Sequence, residues 1–393
     1  MSSFTDDKLR VDYFVDTSSG DLPAALLDLA SLALPSWKEA GLETSQISLT
    51  ATSGNLTNRI WIVRAEAGSI EGQVILVRVF GEGTSEYISR EKEEALMESL
   101  KRANFPACEC LAFFSNGRIE KYIDGKDLEP LDFSDNEVGP IIARSMARTL
   151  GRLHSLKTDF AYKEESIISK ALQFLSMAES IAFPSELDKG KRDQLRDLDL
   201  PKMKAAFLST HAKVMTMVCT SSQQPALAAA VGLSIIHGDL LCGNVMVDAK
   251  TSLQGIREGY NGDGDGDGGS DNDNYELKLW LIDMEYSGMG CPAYDIGNHF
   301  NEWMGYDVDT SLFPARDTRQ EFYRHYIANR HDIMGDSDDF LETFDECVLT
   351  FSQLSHLYWG LWAITLSTKD PAPMDYLDYA RLRFAAYRAM EKA

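Results

Sequence analysis

Residues 235–248 read IIHGDLLCGNVMVD, with His237, Asp239 and Asn244 set at fixed spacing just before the apolar run Val245 to Val247. Such a run, bounded by polar residues, has the pattern of a short buried strand. A second one, ELKLWLID at 276–283, ends on Asp283. The segment between them, GYNGDGDGDGGSDNDN (259–274), is too poor in apolar residues to bury itself and reads as a solvated hairpin insertion, about 249–275 in all. Asp263, Asp265, Asp267 and Gly268 fit half of an EF-hand loop, but Asn274 stands where a bidentate Glu is required.

With the insertion set aside, the two strands form a hairpin. Asn244 opens one strand and Asp283 closes the other, so the pattern predicts that they lie side by side. An amide oxygen and a carboxylate make a hard-oxygen pair suited to Mg²⁺, which takes few protein ligands and completes its shell with phosphate oxygens. Asp239, on the loop leading in, is free to face a substrate hydroxyl. Phosphoryl transfer in the kinase fold uses this division of labour: one Asp takes the hydroxyl proton while an Asn and an Asp hold metal.

Outward from this centre, the periodicity divides the chain in two. Residues 1–125 hold a helix at 21–41, then strand patterns at 46–52, 59–65, 73–80 and 117–123, with a helix at 86–103. Residues 126–393 are mostly helical, with segments at 140–156, 164–182, 200–218, 224–232, 295–304, 315–329, 338–368 and 374–391. The class is α+β: a protein-kinase-like two-lobed fold, with a small antiparallel sheet lobe and a larger helical one. In QVILVRVFG (73–81) both strand faces are apolar except for Arg78, a charge that needs a partner, for which Glu93 on the next helix is a candidate. The polar loop TSGNLTN (52–58) offers small residues whose amides can approach phosphate oxygens.

The 393 residues suffice for one large or two medium domains. The formal charge of −23 disfavours nucleic acid and anionic membranes as partners. No apolar run is long enough to span a bilayer, so membrane insertion is not expected. Met1–Arg10 lacks a basic segment followed by an apolar one, and the six Cys form no CxxC pair; reduced thiols and a cytoplasmic location are the expectation. A Cys108/Cys110 metal pair has only a lone CxC behind it. The oligomeric state, a homodimer included, stays open.

Three blocks carry a resemblance. IIHGDLLCGNVMVD (235–248), WLIDMEYSGMGCPAYDIGNHFNEW (280–303) and SHLYWGLWAI (355–364) with DYARLRFAAY (378–387) resemble the choline/ethanolamine kinases, in order from about Thr52 to Tyr387. The resemblance implies ATP-dependent phosphorylation of a small amino alcohol with Mg²⁺. It implies Asp239 as catalytic base and Asn244 and Asp283 as metal ligands. Glu285 supports metal or loop, and Asp295 braces the catalytic loop. It further implies ATP-phosphate contacts from Arg78 and from the loop residues Ser53, Gly54, Asn55, Thr57 and Asn58. One departure is His237-Gly238-Asp239 where eukaryotic members usually read H-N-D, a form shared with the aminoglycoside phosphotransferases.

For the amine, Trp359, Trp362 and Tyr379 could cage a quaternary ammonium. Glu302, Asp307 and Asp309 could instead accept hydrogen bonds from a primary one. The two Trp also fit an ordinary helix core, because the helix is apolar nearly all round. NHFNEW and HGDLLCGN resemble the ethanolamine kinases more than the choline kinases, so ethanolamine is expected, with choline or dual use as the alternative. A non-catalytic nucleotide-binding relative would be expected to lack Asp239, Asn244 or Asp283, and all three are present.

Overall fold

The computed structural model describes residues 10–52, 58–81, 89–157, 167–183, 188–249, 276–330, 332–333, 335–369 and 374–392. The insertion at 259–274 lies outside them, as do Ser53, Gly54, Asn55 and Thr57. The chain divides into two compact units, Met1–Arg90 with Pro106–Asp124, and Glu91–Phe105 with Gly125–Ala393.

The first unit is a six-stranded sheet. Its strands are β1 (Arg10–Val11), β2 (Ile47–Ala51), β3 (Asn58–Ala65), β4 (Val74–Phe80), β5 (Cys110–Phe114) and β6 (Gly117–Lys121), in the spatial order β1-β5-β6-β4-β3-β2. All pairs are antiparallel except β1 with β5. Alternation along β4 sends Ile75, Val77 and Val79 into one core. Leu26, Leu29, Ala30 and Ala33 of α1 (Leu22–Ala33) and Trp37 of α2 (Pro35–Ala40) complete it. The single helix expected over 21–41 is therefore two. Pro35 has no amide proton to continue α1, and Leu34 before it is extended at φ −123°, ψ 114°, as a residue preceding proline prefers.

Arg78 points to the opposite face of β4 and is 3% exposed. It sits directly across from Arg118 of β6, a like-charge pairing that would be repulsive alone. Glu120, two residues further along β6, accepts from Arg78 Nε at 2.9 Å and Arg118 Nε at 2.6 Å. Burial by itself would raise the Glu120 carboxyl; the two guanidiniums more than offset this and hold it below its ordinary range. Glu120 is thus a carboxylate partner of Arg78 that the sequence did not single out. Glu93 is buried on α3 (Arg90–Arg102), in the second unit.

The second unit is mainly helical: α4 (Pro130–Ser134), α5 (Gly139–Ser155), α6 (Ile167–Ser180), α7 (Lys189–Asp197), α8 (Leu200–Thr220), α9 (Pro225–Val231), α10 (Pro292–Glu302), α11 (Arg316–Ala328), α12 (Asp338–Leu366) and α13 (Tyr376–Met390). The axis is α12, 29 residues long and capped by Ser337 Oγ on the Phe340 amide. Helices α6, α8, α9, α10 and α13 all pack on it. That explains why its second half is apolar on every side. Gly297 lets α10 come close: a Cβ there would lie 2.7 Å from the Val348 carbonyl oxygen. Small sheets carry the loops. Strand β9 (Val245–Asp248) pairs antiparallel with β10 (Leu279–Leu281) and β7 (Gly125–Asp127), and β8 (Ser234–Ile236) with β11 (Gly288–Gly290). Among the described residues no helix is long and apolar enough to cross a membrane.

Candidate active site

The hairpin places the two sequence-predicted ligand positions together. Val245 pairs with Leu281, and the Ile282 amide donates to the Asn244 carbonyl at 3.0 Å. Asn244 and Asp283 therefore flank the same end of the ladder. Asp283 is left-handed, at φ 61°, ψ 62°. Asp tolerates that region better than most residues, and such strain is typical of functional turns.

Six groups fix the loop 237–240. Asp295, at the start of α10, accepts from the His237 amide at 2.7 Å and the Gly238 amide at 2.8 Å. Ser287 Oγ donates to the His237 carbonyl at 2.8 Å. His237 Nε2 lies 2.8 Å from the Ile282 carbonyl, and its Nδ1 accepts from the Asp239 amide at 3.3 Å. His299 accepts from Trp303 Nε1 on Nε2, so its Nδ1 carries the proton donated to the Leu240 carbonyl, 3.2 Å away. Burial pushes His299 down to about 4, and it stays neutral. Asn244 Nδ2 donates to the Asp239 carbonyl at 2.8 Å. That bond turns the amide nitrogen inward and leaves Oδ1 as the face available to a cation.

Gly238 is required by this packing. Its φ is +84°, and a Cβ would meet the Tyr286 carbonyl oxygen at 2.5 Å. Gly238→Ala is expected to cost roughly 1–3 kcal/mol in urea unfolding, from left-handed strain plus the clash. A loss below a few tenths would show that the loop relaxes freely.

Asp239 keeps some solvent exposure although protein surrounds its carboxyl. Its affinity for a proton is raised well above the ordinary carboxylate range, first by burial and then by the charges of Glu302, Asp283 and Glu285, with Arg383 pulling the other way. The charges of Glu302, Asp283 and Glu285 thus act on Asp239 together with that of Arg383. Arg383 is 1% exposed and donates to Glu302 through Nη2 and to the Tyr379 hydroxyl through Nε at 2.7 Å. Its guanidinium carbon lies 5.1 Å from the Tyr379 ring centre.

The aromatic residues form a connected wall. Trp359 and Trp362 meet edge to face at 5.3 Å, Tyr286 meets Trp359 at 5.3 Å, and Tyr376 meets Trp362 at 5.9 Å. Both indole N–H groups are satisfied, Trp359 on Asn298 Oδ1 at 2.7 Å and Trp362 on the Tyr286 hydroxyl at 3.1 Å. Tyr306 stacks obliquely on Tyr379 at 5.9 Å. Tyr306 is 51% exposed, and its phenol is pushed up by partial burial first and then by Asp239 and Glu302. Asp307 and Asp309 are exposed; Asp309 caps the turn at Ser311. Sequence reasoning missed Tyr286, Tyr306, Tyr376 and Arg383. The available signal for Arg383 was an Arg four residues after Tyr379 on an otherwise apolar helix face.

Residues 49–388 match the family model for choline/ethanolamine kinase. The chain belongs to that family. It is similar to a probable ethanolamine kinase of Arabidopsis thaliana, 30% identical over 387 residues that span 97% of this chain and 90% of the relative. An ethanolamine kinase 1 of Mus musculus is 28% identical over 353 residues, 88% of this chain and 84% of the relative. A probable choline kinase 2 of Arabidopsis thaliana is 25% identical over 385 residues, 95% of this chain and 93% of the relative. The fold matches the solved structure of a Plasmodium vivax ethanolamine kinase, at TM-score 0.68 and 20% identity over 96% of this chain and 94% of that one. This protein is a small-molecule kinase with the fold expected from its sequence.

Proposed function

We propose that this kinase transfers the γ-phosphoryl group of ATP to the hydroxyl of ethanolamine. The observation that supports it best is the placement of Glu302 in the Asp239 cluster. Glu302 Oε1 is engaged by Arg383, and Oε2 has no hydrogen-bond partner among the described residues. It offers a primary ammonium an acceptor beside the base, on a substrate whose nitrogen and oxygen are two carbons apart. The relatives named as ethanolamine kinases, at 30% and 28% identity, support the same choice over the choline kinase at 25%.

In this reading Asp239 accepts the hydroxyl proton as the oxygen attacks phosphorus, and ADP leaves. Asn244 Oδ1 and Asp283, with Glu285 near, are the donors for Mg²⁺. The donor set fits: hard oxygens, an amide turned the right way, and several carboxylates gathered about Asp239. Bound there, the ion would neutralise phosphate charge. Arg78 and the 52–58 loop, Asn58 included, are proposed to contact ATP phosphates. Trp359, Trp362 and Tyr379 would pack against the substrate carbons.

ADP release with Mg-ATP, at matched low concentrations of ethanolamine and choline, tests the reading. The expected result is a kcat/KM at least about tenfold higher for ethanolamine, roughly 1.4 kcal/mol of discrimination. A preference for choline would assign the aromatic wall to a quaternary ammonium cage and overturn the choice.

A further inference from the structure

A buried hydrogen-bonded chain runs from the loop 237–240 toward the protein surface, and its outer half has no part in the mechanism above. Asp295 holds the loop amides of His237 and Gly238. Its Oδ2 also lies 3.1 Å from His154 Nε2, on α5. His154 Nδ1 is 2.9 Å from the Tyr326 hydroxyl, on α11. Arg330, two residues beyond α11, donates to that hydroxyl from Nη1 at 2.6 Å. The rest of its fork grips Asp332, Nε at 2.7 Å and Nη2 at 2.6 Å. Asp295 and His154 are buried, Arg330 is 5% exposed, and the Asp332 side chain is 60% exposed.

The direction of each bond follows from the two ends. A guanidinium only donates and a carboxylate only accepts. The Tyr326 oxygen must therefore accept from Arg330, and its own single proton goes to His154 Nδ1. His154 then receives on Nδ1 and donates from Nε2 to Asp295. A second proton on Nδ1 would need the Tyr326 oxygen as its acceptor, in competition with the Arg330 guanidinium that already donates to it. The charged and titratable groups facing His154 are Asp295, Tyr326, Arg330 and Asp332.

We propose that Tyr326 and Arg330 are positioning residues for phosphoryl transfer: they keep His154 neutral and oriented, so that the full charge of Asp295 stays on the amides of His237 and Gly238. They touch no reacting atom. Their effect reaches Asp239 through the loop conformation, in which Gly238 is already left-handed. Without Arg330 the Tyr326 hydroxyl is free to turn and accept. His154 can then take a second proton and pair with Asp295 as a salt bridge, which weakens the hold on the loop.

The turnover arm of the test rests on the kinase reading above; the spectroscopic arm does not. Histidine ¹⁵N spectra of the substrate-free enzyme report His154 directly, compared across wild type, Tyr326→Phe, Arg330→Met and Arg330→Lys. Wild-type His154 is expected to remain neutral with the proton on Nε2 from about pH 8 down to about pH 6. In Arg330→Met it is expected to become protonated within that range, and in Tyr326→Phe, where Nδ1 loses its donor, the tautomer with the proton on Nε2 is expected to lose its dominance. Their kcat is expected to fall about ten- to hundredfold with both KM values within about twofold, more steeply as pH is lowered. Arg330→Lys, which also only donates, should recover most of the loss. Tyr326→Phe keeps the ring packed in α11 and carries the test if Arg330→Met does not fold. The same His154 state in every variant overturns the proposal. So does a kcat per folded enzyme equal to wild type, or a rise in KM alone. If wild type turns over no amino alcohol, the kinase reading fails while the ¹⁵N comparison still decides the role of Tyr326 and Arg330.

Discussion

Asp239→Asn is expected to lower kcat by about 10³-fold. The amide is nearly isosteric and cannot accept the hydroxyl proton. The loop should survive the change, because Asn244 holds the Asp239 carbonyl rather than its side chain alone. KM for ATP should stay within about twofold, since the loss falls on the transition state. Stability should move the other way. The Asp239 carboxyl has its proton affinity raised in the folded protein, by burial first and by Glu302, Asp283 and Glu285 next. A group whose folded pKa lies above its unfolded value is charged at a cost at neutral pH, a cost that lessens as pH falls. The neutral amide removes that cost, so the melting temperature of the variant should rise. Steady-state kinetics and a thermal melt on the same preparation check both halves. Turnover within tenfold of wild type would remove Asp239 from the mechanism.

Arg383→Met is expected to be the most destabilising single change near the site, at about 3–5 kcal/mol. Methionine fills much of the volume but leaves Glu302 buried without its counter-charge, and Tyr379 without its donor. It also removes a positive charge that lowers the Asp239 proton affinity, so activity at neutral pH should fall together with stability. The control is Glu302→Gln in the same background. If the penalty is an unpaired buried charge, the double variant should be more stable than Arg383→Met alone, and the double-mutant cycle should show a coupling of at least about 1 kcal/mol. Additive effects in urea unfolding would mean that Arg383 acts through packing rather than charge.

Much of the fold was legible because its signals are local. The helical spacing of Ile142, Met146, Leu150 and Leu153 along α5 follows from the face it buries, and the apolar run of β4 from a strand with both faces covered. Strand β5 was missed because CLAFF is a short run with no alternation, and α7 because KGKRDQLRD has no apolar face to announce it. The interruption of the first helix was there to be read in Pro35.

At the site, sequence determined the residues whose partners are close in the chain. Asp239 and Asn244 share one loop, and Asp283 is one hairpin away once the insertion is removed, so their adjacency follows from strand pairing alone. Tertiary structure decided everything that depends on helices meeting. Arg383 reaches Glu302 across 81 positions, His154 reaches Asp295 across 141 and Tyr326 across 172. Asn298 orients Trp359 from 61 positions away. None of these pairs is set by a local period. Each exists because α10, α12 and α13, or α5, α10 and α11, pack closely enough that a buried polar group must find its partner on a neighbour.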